Sequence, residues 1–435
     1  MKRKKILLTL IPGLCFFAIG YGQQSAIDSL TLKEAIRLTL TNQPLLQQAL
    51  ESVNAAQAKI KAQKSLYYPR LEGSLTYNRI GPVPSIDFGG FNFELADANN
   101  YDAHLTASQL VYDFGQRDAL LDLVKSYKLS AGDKIDLIKN NLTYQTIRSF
   151  YTILFLQRSI DVETEQINTL LKHRDLSQMK VESGSATDFD VLTTQVKVAE
   201  ARNRKIDIEN ILKKEEINLR SLTGFSSDQT LNLAGKFKAD TSAISLDSLI
   251  NKALQHRPEM KLATDAEKSA KASKQVAALT DRPVLSVLAS YGFKNGYQPD
   301  LHEIRQNWVA GVKASVPIFN GHLKAAKIEE SEAGLNAASA HKRDLERAIN
   351  KEIQQAAADF EASNLKLRTS RVQVDQAAQA VARAEVKYRD GVITNLDLID
   401  AETSLAQARI LYLQVVYRSM LSYYNLKKAV GDVVE

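Results

Sequence analysis

The stretch Thr31 to Leu46, TLKEAIRLTLTNQPLL, returns further along the chain as Ser245 to Lys261, SLDSLINKALQHRPEMK. Pro44 aligns with Pro258, Pro69 with Pro283 and Tyr77 with Tyr291, all at an offset of 214 residues. Gly115 then aligns with Gly321 at an offset of 206, and Gly184 with Gly391 at 207. These offsets put a difference of eight residues between Tyr77 and Gly115 and mark that segment as a variable loop. Each half reads as long helix, β-hairpin, very long helix, helix, a plan with too little sheet to close on itself within one chain. The chain is therefore read as a duplication, with a first repeat over 23–240 and a second over 241–435.

With 435 residues, 44% hydrophobic and 24% charged, the composition fits two or three globular domains as well as an elongated repeat protein. Of the formal charge of +6, Lys2, Arg3, Lys4 and Lys5 supply four. They are followed by the apolar run Ile6 to Ile19 and the small residues Gly20 and Gly22, the three-part form of a secretory signal peptide over 1–22. The run is shorter than the roughly 20 apolar residues of a transmembrane helix, and Pro12-Gly13 interrupts it. Leu14 stands where a lipoprotein signal requires a small residue, so Cys15 is read as part of the signal and no lipid is expected on it. The mature chain then has no cysteine and is nearly neutral, with no basic surplus for a nucleic-acid partner.

No other segment has 18 consecutive apolar residues, so an exported chain that spans a membrane must do so with strands. Four segments have the required period of two. Leu71, Gly73, Leu75 and Tyr77 alternate with polar neighbours over about 70–80, and Tyr101, Ala103, Leu105 and Ala107 over about 101–112. In the second half Leu285, Val287, Ala289, Tyr291 and Phe293 alternate over about 284–294, and Trp308, Ala310, Val312, Ala314 and Val316 over about 307–317. Each run matches the length of a tilted transmembrane strand, and the aromatic ends suit a membrane interface. A soluble sandwich predicts similar alternation. Four strands cannot close a sheet, however, and open edges are not tolerated in lipid. Two chains would give eight strands and a filled interior, whereas three give 12 and a lumen, so a homotrimer is the smallest assembly that makes a duct.

Between Gly115 and Gly184 there is no proline, and Leu120, Val124, Tyr127, Ala131, Ile135, Ile138 and Leu142 recur at coiled-coil steps. Ile349, Ile353, Ala356, Phe360 and Leu367 repeat the stripe in the second half. Each such helix reaches about 100 Å. Gly184 and Gly391 lie where the chain reverses between helices, a position that favours positive φ. Thr187-x-x-Asp190 and Thr394-x-x-Asp397 follow them with capping-box form. Asp400 lies one turn past Asp397, and its counterpart in the first half is Thr193. The six histidines are scattered, and no Walker loop, nucleophile elbow or dinucleotide fingerprint is present, so neither an enzyme nor a cofactor is expected. A periplasmic coiled-coil scaffold without pore activity is the competing function.

The segment KYRDGVITNLDLIDAETSLAQAR, Lys387 to Arg409, and its echo KVESGSATDFDVLTTQVKVAEAR, Lys180 to Arg202, resemble the signature of the TolC-type outer-membrane efflux protein family. The turns LVYDFGQ (110–116) and VPIFNGH (316–322) and the closing LTG (222–224) and AVG (429–431) fit the same family. The resemblance, from about Thr31 to Gly431, implies a mainly α fold with a small β part. It implies a trimeric α-helical coiled-coil tunnel in the periplasm topped by a 12-stranded β-barrel in outer-membrane lipid. It implies partnership with a periplasmic adaptor (a membrane fusion protein) and an inner-membrane pump of RND or ABC type, in efflux or type I secretion. For individual residues it implies acidic rings at the periplasmic entrance from Asp397 and Asp400, hairpin contacts by Asp190 and Tyr388, and iris-like opening of the hairpins. It also implies adaptor docking at the tips, here Ser183-Gly184-Ser185 and Asp390-Gly391-Val392. Where some members carry an arginine two residues after the tip glycine, this chain has Ile393, so that link to an acid of the first hairpin cannot form.

Overall fold

The computed structural model describes residues 29–226, 231–238 and 246–432. The expected signal segment 1–22, Cys15 within it, and the repeat boundary at 240/241 lie outside the described residues. After the short strand β1 (Leu30–Thr31), each repeat lays down four helices of matching length. Helices α1 (Leu32–Asn42) and α5 (Leu246–His256) have 11 residues, and α2 (Pro44–Ser65) and α6 (Pro258–Leu279) have 22. The long helices α3 (Gln116–Glu182) and α7 (Leu323–Arg389) have 67 residues, and α4 (Asp188–Thr223) and α8 (Asn395–Val430) have 36.

The helix boundaries correct the eight-residue difference read from the glycines. The offset between repeats falls from 214 to 207 in one step of seven, in the loop between the two strands of each repeat's hairpin, since Leu71 and Leu285 pair with Ala107 and Ala314. The residues before α3 and α7 are Gly115 (φ 89°) and His322 (φ 66°), both left-handed. Gly321 (φ 65°) therefore matches Phe114 (φ 54°) instead of Gly115. The corner needs two successive left-handed residues, and glycine takes the second place in one repeat and the first in the other.

Pro44 and Pro258 divide the shorter helices. The residue before each proline is extended, Gln43 at ψ 119° and Arg257 at ψ 129°, and the proline takes the first helical position. Both pre-proline side chains reach the end of the repeat's last helix. Gln43 Nε2 donates to the carbonyls of Ser221 and Leu222 at 2.9 and 2.7 Å, and Arg257 Nη1 donates to Ala429 O at 3.2 Å. Carbonyls orphaned by a helix terminus thus find donors from the chain's own duplicated kink. The core lies between the helix pairs, with Ile147, Phe150, Ile153, Leu219, Val416 and Met420 in one cluster and Met260, Ile349, Ile353 and Leu426 in a second. In the second repeat Ile349, Ile353, Ala356 and Phe360 are buried; in the first, only Leu142 of the expected stripe is, and Tyr127 is exposed. Within one chain the upper part of α3 has one flank open.

The main sheet runs β2 (Arg70–Arg79), β5 (Asn99–Tyr112), β7 (Val284–Lys294) and β8 (Arg305–Ser315), antiparallel throughout, so β5 and β7 join the repeats. The last strand begins two residues before the alternation placed it, where Arg305 pairs with Lys294. The register aligns the apolar residues of all four strands in rows: Gly73, Leu105, Tyr291 and Trp308 in one, Leu71, Ala107, Ala289 and Ala310 in the next. Ser74, His104, Gly292 and Asn307 form a polar row on the other face. A side chain at Gly292 would collide with Ala103 O, and its absence lets His104 Nε2 reach Asn307 Oδ1 at 2.7 Å across the intervening strand. The apolar face is bare: Leu75 is 84% and Trp308 73% exposed.

The variable segment holds an additional hairpin, β3 (Ser85–Phe88) and β4 (Phe91–Glu94), turning through Gly89 and Gly90 at positive φ. The remaining strand, β6 (Leu233–Ala234), pairs in parallel with β1.

Beyond the strands, loops of the two repeats are tied together. Buried Asp97 accepts from His302 Nδ1 at 2.6 Å and from Asn295 Nδ2 at 2.9 Å, and its other oxygen takes Asn99 N at 2.9 Å. The backbone donor of Asn99, then His302, hold the Asp97 carboxyl below its ordinary range, and Asp97 raises His302 above its own. The His302 contribution is complete below its unfolded pKa of about 6.5 and is lost as pH rises through the raised folded value. The Asp97 contribution is complete above about 3.9 and is lost as pH falls through the lowered one. Loop protection in hydrogen exchange is therefore expected to be greatest between about pH 4 and 6.5. Protection over 295–304 that does not fall from pH 6 to 9 would refute the ion pair's role.

Candidate functional site

The ends of α3 and α7 are built alike. Gly184 and Gly391 both adopt φ 73°. In the first tip Ser185 N donates to Lys180 O at 2.7 Å and Gly184 N to Val181 O at 2.9 Å. In the second, Val392 N donates to Lys387 O at 2.8 Å and Gly391 N to Tyr388 O at 3.2 Å. This is the Schellman pattern, in which a left-handed glycine lets the chain turn back and satisfies the last carbonyls. Ser183 and Asp390 occupy the C-cap positions, and beyond the adjoining residues no atom lies within 4 Å of where a Cβ on either glycine would stand.

The next helices start in capping boxes. Thr187 N donates to Asp190 Oδ2 at 3.0 Å, and Thr394 N to Asp397 Oδ2 at 2.9 Å. The Thr394 hydroxyl, at 2.7 Å, and then its N–H hold the Asp397 carboxyl below the usual carboxylate range, so it is charged at neutral pH. Asp400 is exposed on the same flank one turn further on, between buried Ile399 and buried Glu402.

The two hairpins of the chain meet through side chains. Asp190 engages the second hairpin through its main-chain oxygen, which accepts from Asn395 Nδ2 at 3.1 Å, because its carboxylate is occupied by Thr187. Tyr388 is buried; its hydroxyl lies 3.2 Å from Ser177 Oγ, its carbonyl accepts from Lys180 Nζ at 2.6 Å, and the same ammonium lies 3.9 Å from its ring centroid. With Ile393 in place of an arginine, the cation at this junction comes from the other hairpin as Lys180. Sequence reasoning did not find His173, Asn395 and Glu402, which are buried together behind Tyr388. His173 Nε2 lies 2.7 Å from Asn395 Oδ1, and Nδ1 lies 3.3 Å from Glu402 Oε2. These partners stand 222 and 229 residues apart, and only the repeat alignment, which sets the two tips side by side, could have pointed to them.

A duplicated body of long helical hairpins and a four-stranded sheet with a bare apolar face give the chain the outline of an envelope channel protein. The family model described as outer membrane efflux protein matches residues 35–225 and 249–432. The chain belongs to the outer membrane efflux protein family. It is 23% identical over 407 residues to the probable efflux pump outer membrane protein TtgC of Pseudomonas putida, covering 92% of this chain and 82% of that protein. It is 22% identical over 412 residues to the alkaline protease secretion protein AprF of Pseudomonas aeruginosa, covering 94% and 85%. Its fold matches the Campylobacter jejuni CmeC outer membrane channel with a TM-score of 0.81 at 16% identity, over 92% of this chain and 86% of that one. The protein is thus an outer-membrane exit duct with its helical tunnel in the periplasm, and the pore-free scaffold reading is set aside. Among the described residues no helix is long and apolar enough to cross a membrane.

Proposed function

We propose that three copies of this chain close a 12-stranded barrel in outer-membrane lipid and continue it as a periplasmic tunnel. The supporting observation is the sheet order: β2 and β8 are both edges, and an open edge carrying a lipid-type apolar face is stable in a bilayer only when another copy pairs with it. Mass determination in detergent combined with planar-bilayer recording tests this. A trimer with discrete conductance is expected, and a soluble monomer or dimer without conductance would overturn it.

The duct has no energy source in this reading and works with a periplasmic adaptor and an inner-membrane pump of RND or ABC type. One relative is named for an efflux pump and another for protease secretion, which supports cargo of small molecules or polypeptides. The adaptor docks at Ser183-Gly184-Ser185 and Asp390-Gly391-Val392, where the exposed tips lack a side chain at the glycine. Opening is an iris-like change between two packings of the same hairpins, resisted by the contacts of Asp190 and Tyr388.

Threefold symmetry turns Asp397 and Asp400 into two stacked acidic rings at the entrance, which select cations as carboxylate rings do in other pores. Asp397 is committed to its capping box, so Asp400 is the better probe. Asp400→Ala is expected to reduce cation preference and multivalent-cation block severalfold without changing trimer yield. Recordings with wild-type selectivity and block would discard the ring assignment.

A further inference from the structure

The buried cluster behind Tyr388 has a defined hydrogen count. Asn395 Nδ2 lies 3.1 Å from the main-chain oxygen of Asp190, which can only accept, so the amide orientation is fixed with Oδ1 toward His173. Oδ1 is itself an acceptor, so His173 Nε2 carries a hydrogen. The other ring nitrogen faces Glu402 Oε2 at 3.3 Å. One further proton is therefore needed between Nδ1 and Glu402, on the ring or on the carboxyl. Without it a lone pair faces a carboxylate oxygen in a site where His173, Asn395 and Glu402 are all at most 5% exposed. Unpaired polar groups are costly in such surroundings.

The cluster joins both hairpins. His173 and Ser177 belong to α3, Thr194 and the Asp190 carbonyl to α4, Tyr388 to α7, and Asn395 and Glu402 to α8. The charged and titratable groups around it are already engaged or stand aside. On α3, Lys180 is bound to Tyr388 O, and Glu165 is paired with Arg409 of α8 at 2.7 Å. On α4 the Asp190 carboxylate is held by Thr187; on α7 the Tyr388 ring lies 5.2 Å from the imidazole, and Glu385 lines the same small cavity as Glu402.

We propose that His173 is a positioning residue of the entrance. With the shared proton present, His173, Asn395 and Glu402 bolt the second hairpin to the first and hold the closed packing; loss of the proton frees α8 from α3 and favours opening. A proton shared between a ring nitrogen and a carboxylate is lost as pH rises, so the duct opens more readily at alkaline than at acidic pH. The proposal rests on the gated-entrance reading above.

Trimers recorded in planar bilayers from about pH 5 to 9 test it. Wild-type open probability is expected to rise severalfold across this range. Glu402→Gln supplies an N–H to the neutral ring's Nδ1 and is expected to give a low, pH-independent open probability. His173→Ala is expected to give a high, pH-independent one. A flat wild-type profile, or a wild-type pH response surviving in Glu402→Gln, overturns the proposal. If no channels appear at any pH, the gated-duct reading fails. The bolt is then judged by hydrogen exchange of peptides spanning His173 and 395–402 in the same trimers, corrected for the intrinsic pH effect. Exchange that accelerates with pH in the wild type and not in Glu402→Gln supports it, and equal pH responses refute it.

Discussion

Replacing Arg117 with alanine is expected to destabilise the protein by about 3–5 kcal/mol, the usual cost of leaving a buried charge without its partner. Arg117 stands at the corner where β5 becomes α3. Its Nε donates to Asp113 Oδ2 at 2.8 Å, its Nη1 to Leu66 O at 3.1 Å and Leu110 O at 2.9 Å, and its Nη2 to Val111 O at 3.3 Å. The guanidinium also stacks on Tyr67, 4.8 Å from the ring centroid, and the Tyr67 hydroxyl bonds Asp118. Asp113 in turn caps α3 by accepting from Gly115 N and Arg117 N. One side chain therefore ties sheet to helix, and alanine would take its donors from three carbonyls and leave the buried Asp113 carboxylate without its counter-charge. Thermal unfolding of the purified protein in detergent measures the effect. Arg117→Lys, which keeps the charge and loses the planar fork, should recover only part of it. A midpoint for Arg117→Ala within a degree of wild type would show that the corner is held by something else.

Gly391→Trp is expected to abolish export while the protein still reaches the outer membrane. At φ 73° a side chain is strained by about 1–2 kcal/mol, too little to unfold a 67-residue helix packed against α8. Gly391 is exposed and the space around its missing Cβ is open, so an indole has room to point away from the chain and obstruct what approaches from outside. Gly391→Ala should therefore retain most export, and Gly184→Trp reports whether the first tip is equally needed. The assay is efflux or secretion by cells that depend on this chain, normalised to the amount in outer membranes. Undiminished export by Gly391→Trp would remove the tip from the docking surface.

The strands were legible because membrane-type alternation survives as a row once the chain is paired. Leu105, Tyr291 and Trp308 come from three separate segments, and each was assigned to the apolar face by its own neighbours alone. The capping boxes at Thr187 and Thr394 were legible for the same reason, since every partner is three residues away. The cluster of His173, Asn395 and Glu402 was not, because its bonds span more than 200 residues and no local pattern distinguishes His173 from the other five histidines. The hairpin at Ile86 to Phe93 has a local signal in DFGGFNF, a two-glycine turn between alternating aromatics, but it lies in the segment that the duplication does not repeat. At the corner, glycine identity misaligns the repeats by one residue, because the backbone asks only for two left-handed positions and either can hold the glycine.

The equal helix lengths act as a ruler on what this chain can become. A single residue inserted into α3 without a matching one in α7 would displace one tip by about 1.5 Å and rotate its outward face by about 100°. The two tips would then no longer be level, and the contact between His173 and Asn395 would fall out of step. Lineages descending from this duplication are free to lengthen the loops at the strand end, as the seven-residue step between repeats already records, but must alter their long helices in pairs or leave them alone.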